Sequence, residues 1–96
     1  MVPIKIRYLG QFRCEAEHGP SGAKFITDAP LDNHGRAESF SPTDLVATGL
    51  GTCVMTVMGI VAERNGWDLS GTTVDVAKEM VNAPVRRIGK LTVQVH

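Results

Sequence analysis

The 96-residue sequence predicts an α+β domain made of an antiparallel β-meander, a long buried central helix and a closing β-hairpin. Three observations predict it. Apolar and polar residues alternate with period 2 through much of Val2 to Thr27. A helix-start signature at Ser41 opens a run from Leu45 to Ala62 that carries no charge. Alternation then returns at Val74 and persists to the end of the chain.

The first strand is expected where Ile4, Ile6 and Tyr8 alternate with Lys5, Arg7 and Leu9. Gly10 and Gln11 mark a turn. Phe12, Cys14 and Ala16 then alternate with Arg13, Glu15 and Glu17, which puts Cys14 on the apolar face of a half-buried strand as a small core residue. The HGPSG turn, His18 to Gly22, leads into a third short strand, Ala23 to Thr27. Asp28 to Gly35 reads as loop.

The central helix starts with Ser41 as N-cap, Pro42 at the first helical position and Asp44 three residues after the cap. It should run to about Asn65, where Gly66 supplies the stop. A helix apolar nearly all round is buried on every side or crosses a membrane. Its length is near the lower limit of a span. Three threonines, three glycines and the surrounding strands favour a buried core helix instead. Gly49 and Gly51 each cost helix stability, about 1 kcal/mol against Ala. Something packing close to the backbone explains them, and the same helix of a second subunit is the natural candidate. In the last zone Val74, Val76 and Met80 form one strand, Asn82 to Pro84 a turn, and Leu91, Val93 and Val95 another strand.

The length allows one domain, residues 1–96. Ten basic and ten acidic residues cancel, which gives no reason to expect a nucleic acid or an anionic membrane as partner. Cys14 and Cys53 lie far apart, with neither CxxC nor Cys/His metal spacing, and His18, His34 and His96 are scattered. No metal or cofactor is expected. The N-terminus lacks the apolar core of a signal peptide, so the protein is expected in the cytoplasm with reduced thiols.

Cys53 has two readings. Mid-helix in an apolar run, it is a small hydrophobe. As a nucleophile it needs a nearby cation or hydrogen-bond donor, because apolar burial alone disfavours the thiolate. A thiolate so helped could attack a peroxide O–O bond and become a sulfenic acid.

The segment SPTDLVATGLGTCVMTVMGI, Ser41 to Ile60, resembles the central helix of the OsmC/Ohr family of thiol peroxidases. Pro42 leads to Cys53 eleven residues on, and the HGPSG turn, the ITDAP segment and the following hairpin fall in the family's order. The resemblance implies an intertwined homodimer with active sites at the subunit interface. It implies reduction of organic hydroperoxides by Cys53, with a thiol reductant, possibly a dihydrolipoyl protein, restoring it. An arginine near the first hairpin turns and a glutamate after the proline assist that cysteine in the family. Here Thr43 follows Pro42, so Asp44 is the remaining candidate for the acid, and His18 stands in for the arginine. The family's resolving cysteine, on a C-terminal helix, has no counterpart before His96, so the chain is expected to be C-terminally incomplete. Asp44 and Cys53 are nine residues apart, roughly 13 Å of rise and half a turn out of phase, so they face opposite sides of one helix. The other reading is a non-catalytic binding or structural dimer of the same fold, in which Cys53 is inert and Asp44 caps the helix.

Overall fold

The computed structural model describes residues 1–96. Contacts gather the chain into two compact units, Met1–Thr43 and Asp44–His96.

The first unit is a three-stranded antiparallel meander of β1 (Ile4–Gly10), β2 (Arg13–His18) and β3 (Lys24–Asp28), in that order. Gln11 and Phe12 make the first turn in left-handed conformations, at φ 53° and 64°. The register places Ile6, Ala16 and Phe25 in one cross-strand row, and Tyr8, Cys14 and Thr27 in the next. These residues form the apolar face that the alternation predicts. Ala16 is buried between its larger neighbours and Cys14 is half-buried, but Ile6 and Tyr8 stay 69% and 64% exposed. The opposite face carries Arg7 paired with Glu15 at 3.6 Å, and Lys24 paired with Glu17 at 3.4 Å.

After β3 the chain doubles back through a 3-10 turn, Leu31–Asn33, inside the segment expected to be loop. His34 adopts φ 71°, and at Gly35 a side chain would collide with the Ala29 carbonyl, 1.6 Å from an ideal Cβ. Only glycine fits there. The return is fixed when Asp28 N–H donates to the Phe40 carbonyl, at 3.1 Å.

Helix α1 spans Pro42–Arg64, and all but its first two residues belong to the second unit. Thr48 and Thr52 donate their hydroxyls to the carbonyls of Asp44 and Thr48, at 2.9 and 2.8 Å, which satisfies them inside an apolar helix. The helix ends as Gly66 predicts. Gly66 sits at φ 70°, its N–H donates to Glu63 O, and Trp67 N–H donates to Ala62 O.

Strands β4 (Val74–Val81) and β5 (Arg87–Val95) form an antiparallel hairpin. Strand β5 begins four residues before the expected Leu91. Arg87, Gly89 and Lys90 hide the apolar alternation, while the ladder continues to Val81 through a bulge at Glu79 and Met80. Val74, Val76, Lys78, Met80 and Val81 are the less exposed residues of β4. Gly51 is buried against this hairpin: a Cβ there would lie 2.7 Å from Val76 Cγ2.

Two expectations need correction. Within this chain α1 is buried on one side only: Ala47, Gly51 and Ala62 are buried, while Val46, Val57 and Ile60 are 56%, 55% and 47% exposed. A two-stranded hairpin is wide enough to cover one side of a helix. The close neighbour of Gly51 is β4 of the same chain, not a partner helix, whereas Gly49 has no atom within 4 Å of where its Cβ would be. By length and composition α1 could also cross a membrane. Its packing against β4 is that of a helix laid on a sheet.

Candidate functional site

The helical repeat divides α1 into two faces. Asp44, Ala47, Gly51, Met55, Met58 and Ala62 recur at spacings of three and four residues and include all three buried positions. Val46, Leu50, Cys53, Val57 and Ile60 make the opposite stripe, and all five are exposed. Cys53 is thus an exposed thiol in the middle of an apolar stripe. It makes no hydrogen bond and no ion pair within the chain.

Asp44 lies on the other face. Its Oδ1 is 2.7 Å from Nζ of Lys78, whose side chain is only 16% exposed among Val76 and Met80. The structure therefore does not bring Asp44 and Cys53 together, as their half-turn separation requires. Asp44 serves as a first-turn acid, favoured by the helix dipole, and as an anchor for the hairpin.

His18 ends β2. Its Nδ1 is 2.6 Å from Ser21 Oγ, and Ser21 N–H also donates to it at 3.3 Å. Ser21 Oγ in turn accepts Ala23 N–H at 3.2 Å. Nδ1 is therefore engaged within its own turn, by the Ser21 main chain and hydroxyl. His18 meets neither a carboxylate nor a thiol.

The structure assembles a charged cluster that the sequence reading passed over. Arg13 is the first residue of β2, straight after the Gln11–Phe12 turn, and Asp28 is its cross-strand partner on β3. Arg13 Nη2 donates to Asp28 Oδ2 at 3.5 Å and closely to Glu38 Oε2. Asp28 is 1% exposed, and its Oδ2 also accepts Glu38 N–H at 3.1 Å. The Glu38 N–H holds the Asp28 carboxyl below the usual carboxylate range, with the Arg13 charge adding to it against the opposing effect of burial. Glu38 raises the Arg13 guanidinium in the same way. A signal for this cluster was present: a hairpin centred between Pro20 and Ser21 must set Arg13 opposite Asp28. Glu38 lies in a loop without periodicity and gave none.

No group of three or more His, Cys, Asp or Glu side chains in the structure could hold a metal ion.

Comparison with known proteins follows the same lines. No curated protein matches the chain. A crystal structure from Psychrobacter arcticus 273-4, described as that of an osmotic stress induced and detoxification response protein, superposes with a TM-score of 0.92 at 43% identity, covering 99% of this chain and 69% of that one. The sequence model of OsmC-like proteins matches residues 34–96, a segment holding helix α1, Cys53 and the hairpin. With well over half of its length inside the family model and its fold shared with that crystal structure, the chain belongs to the OsmC-like protein family.

Proposed function

We propose that this chain is a stress-defence protein that reduces organic hydroperoxides through Cys53. The observation that carries the reading is the exposed thiol of Cys53 within the stripe of Val46, Leu50, Val57 and Ile60. An apolar surround suits an alkyl hydroperoxide, and exposure lets the peroxide reach the sulfur. The Cys53 thiolate attacks the terminal oxygen of ROOH, the O–O bond breaks, and the alkoxide leaves and takes a proton as ROH. The sulfur becomes a sulfenic acid. A first external thiol then condenses with it, releasing water, and a second thiol returns Cys53 as free thiol with an external disulfide. A dithiol reductant, such as a dihydrolipoyl group, supplies both.

The cation that the resemblance assigns to this chemistry is His18, and Arg13 is the other cation next to the first hairpin turn. His18 is engaged with Ser21 inside its own turn. A second copy of the chain completes the assembly and covers the apolar surfaces that one copy leaves bare.

Peptide mass spectrometry after stoichiometric cumene hydroperoxide tests the reading. It expects a sulfenic acid, trapped by dimedone, on Cys53, and loss of hydroperoxide consumption in Cys53→Ser. An unoxidised Cys53 would instead favour a non-catalytic dimer. The commitment of Asp44 to Lys78 is the observation that keeps this second reading in view.

A further inference from the structure

Three threonines interrupt the apolar run of α1, at positions 48, 52 and 56. A threonine inside a helix ordinarily returns its hydroxyl to a carbonyl one turn back. Thr48 and Thr52 do so, donating to Asp44 O and Thr48 O at 2.9 and 2.8 Å. Thr56 does not. Its hydroxyl has no hydrogen-bond partner within the chain, and the residue is exposed.

Thr56 stands one turn beyond Cys53. Residues three apart on a helix are neighbours, with Cβ atoms about 5–6 Å apart. Helical side chains lean toward the N-terminus, so Thr56 leans over the turn that carries the thiol. The hydroxyl and the thiol do not bond each other. The same row runs back to Gly49, four residues before Cys53, where nothing lies within 4 Å of an added Cβ. Leu50 and Val57, both exposed, stand on the other flank of Cys53. The thiol therefore has an apolar wall on one side and, on the other, an open step that ends in a free hydroxyl. A hydroperoxide has matching halves, an alkyl group and a pair of oxygens.

We propose that Thr56 is a catalytic residue of the hydroperoxide reduction, the hydrogen-bond donor to the leaving oxygen. The inference rests on the reading of Cys53 as the reactive thiol. The thiolate gives an electron pair to the terminal oxygen of ROOH, the S–O bond forms and the O–O bond breaks. Sulfur is oxidised to the sulfenic acid, and the peroxide is reduced. The negative charge passes to the alkoxide oxygen, which accepts a hydrogen bond from Thr56 until solvent protonates it to ROH. A donor already in place where charge develops favours the transition state over the bound substrate. Thr56 itself leaves the reaction unchanged.

The test is the first oxidation of Cys53 in the full chain, with no reductant added. Dimedone trapping and peptide mass spectrometry follow the sulfenic acid after rapid mixing with cumene hydroperoxide or with peracetic acid. Peracetic acid releases acetate, a weak base that needs no donor, whereas cumene hydroperoxide releases an alkoxide. Thr56→Val is expected to slow oxidation by cumene hydroperoxide about tenfold, the weight of one hydrogen bond to a charged oxygen. Oxidation by peracetic acid and alkylation by iodoacetamide should keep their rates, and Thr56→Ser should restore the parent behaviour. Thr56→Ala, favoured in a helix, is expected to show the same selective loss and decides the matter if Thr56→Val does not fold. Equal loss with both oxidants, or a loss of alkylation as well, would overturn the role at the leaving oxygen, since a damaged site or a weakened thiolate slows every reaction. Unchanged rates in Thr56→Val and Thr56→Ala would overturn it too. A parent chain whose Cys53 resists both oxidants would sink the underlying reading first, and the proposal with it.

Discussion

Lys78 reaches from the middle of β4 to Asp44 in the first turn of α1, with Nζ 2.7 Å from Oδ1. The pair ties the helix start to the hairpin and places a cation where Val76 and Met80 would otherwise make a purely apolar row. Both residues flank the helix face opposite Cys53. Asp44→Asn is expected to lower stability by about 1 kcal/mol or less, because the carboxylate is 41% exposed and water screens the pair. Lys78→Met is expected to cost about as much, since it strands the acid at the edge of the hairpin. A double-mutant cycle by urea unfolding should return a coupling of roughly 0.5 kcal/mol. Hydroperoxide consumption should survive Asp44→Asn. Its loss in a folded variant would return Asp44 to the chemistry.

Gly49 and Gly51 are two residues apart and answer to different forces. A methyl at 51 meets Val76 Cγ2 at 2.7 Å, whereas a methyl at 49 meets nothing within 4 Å. Both substitutions gain about 1 kcal/mol of helix propensity. Gly51→Ala must also force apart a helix and a β-branched strand residue, an overpacking of about 1–3 kcal/mol. Net loss of up to about 2 kcal/mol is therefore expected for Gly51→Ala, with the helix intact by circular dichroism. Gly49→Ala is expected to raise the urea midpoint of the monomeric chain. Equal effects at the two positions would contradict the packing described.

The contrast shows where the sequence was legible. Period 2 located four of the five strands, the HGPSG turn pointed to the third, and the Pro42 and Gly66 signals located both ends of α1, because these patterns are written by local backbone geometry. Apolarity nearly all round α1 told that both faces seek cover. It could not tell that β4 covers the Gly51 face and that Val46, Leu50 and Val57 stay bare in one chain. At the site, the half-turn between Asp44 and Cys53 was readable from their numbers, as was the pairing of Arg13 with Asp28 through the HGPSG centre. The recruitment of Glu38 was not, since its N–H reaches Asp28 through an aperiodic return loop.

Asp28 gives acid stability a definite sign. Its carboxyl is held low in the folded chain, chiefly by the Glu38 N–H and then by Arg13, while unfolded it titrates near the ordinary value of about 4. The folded state therefore binds fewer protons, so the contribution is fully present above about pH 4 and is lost as pH falls through the lower folded value. Urea midpoints should hold between pH 5 and 7 and fall below about pH 4. In Asp28→Asn that part of the acid limb should disappear, leaving a flatter profile at low pH. An acid limb unchanged by the substitution would mean that other carboxylates carry it.

His18 offers the complementary case of a residue whose role is confined to its turn. Removing it in His18→Ala deletes the acceptor for Ser21 N–H and for the Ser21 hydroxyl, both exposed. The expected cost is about 0.5–1 kcal/mol, the size of an exposed turn hydrogen bond. The pH profile of Cys53 alkylation should not move, because the His18 ring is engaged within its own turn. A displaced profile in this variant would make His18 the cation that serves the thiol.

The bare stripe on α1 is the place where a second copy is most readily tested. Val57 stands one helical turn from Cys53 and is 55% exposed in the single chain. On a monomer, Val57→Lys is a surface substitution, expected within about 0.5 kcal/mol of the parent. At a subunit interface the same lysine would bury an unpaired charge, which costs several kcal/mol and breaks the association. Analytical ultracentrifugation across a concentration series separates the two. With a second copy over this face, the parent chain sediments as a dimer and Val57→Lys as a folded monomer that consumes hydroperoxide more slowly. A dimer of unchanged strength in Val57→Lys would move the contact elsewhere and leave Cys53 facing solvent. In that case the apolar stripe itself, rather than a partner's side chains, would be what an alkyl hydroperoxide meets on its way to the sulfur.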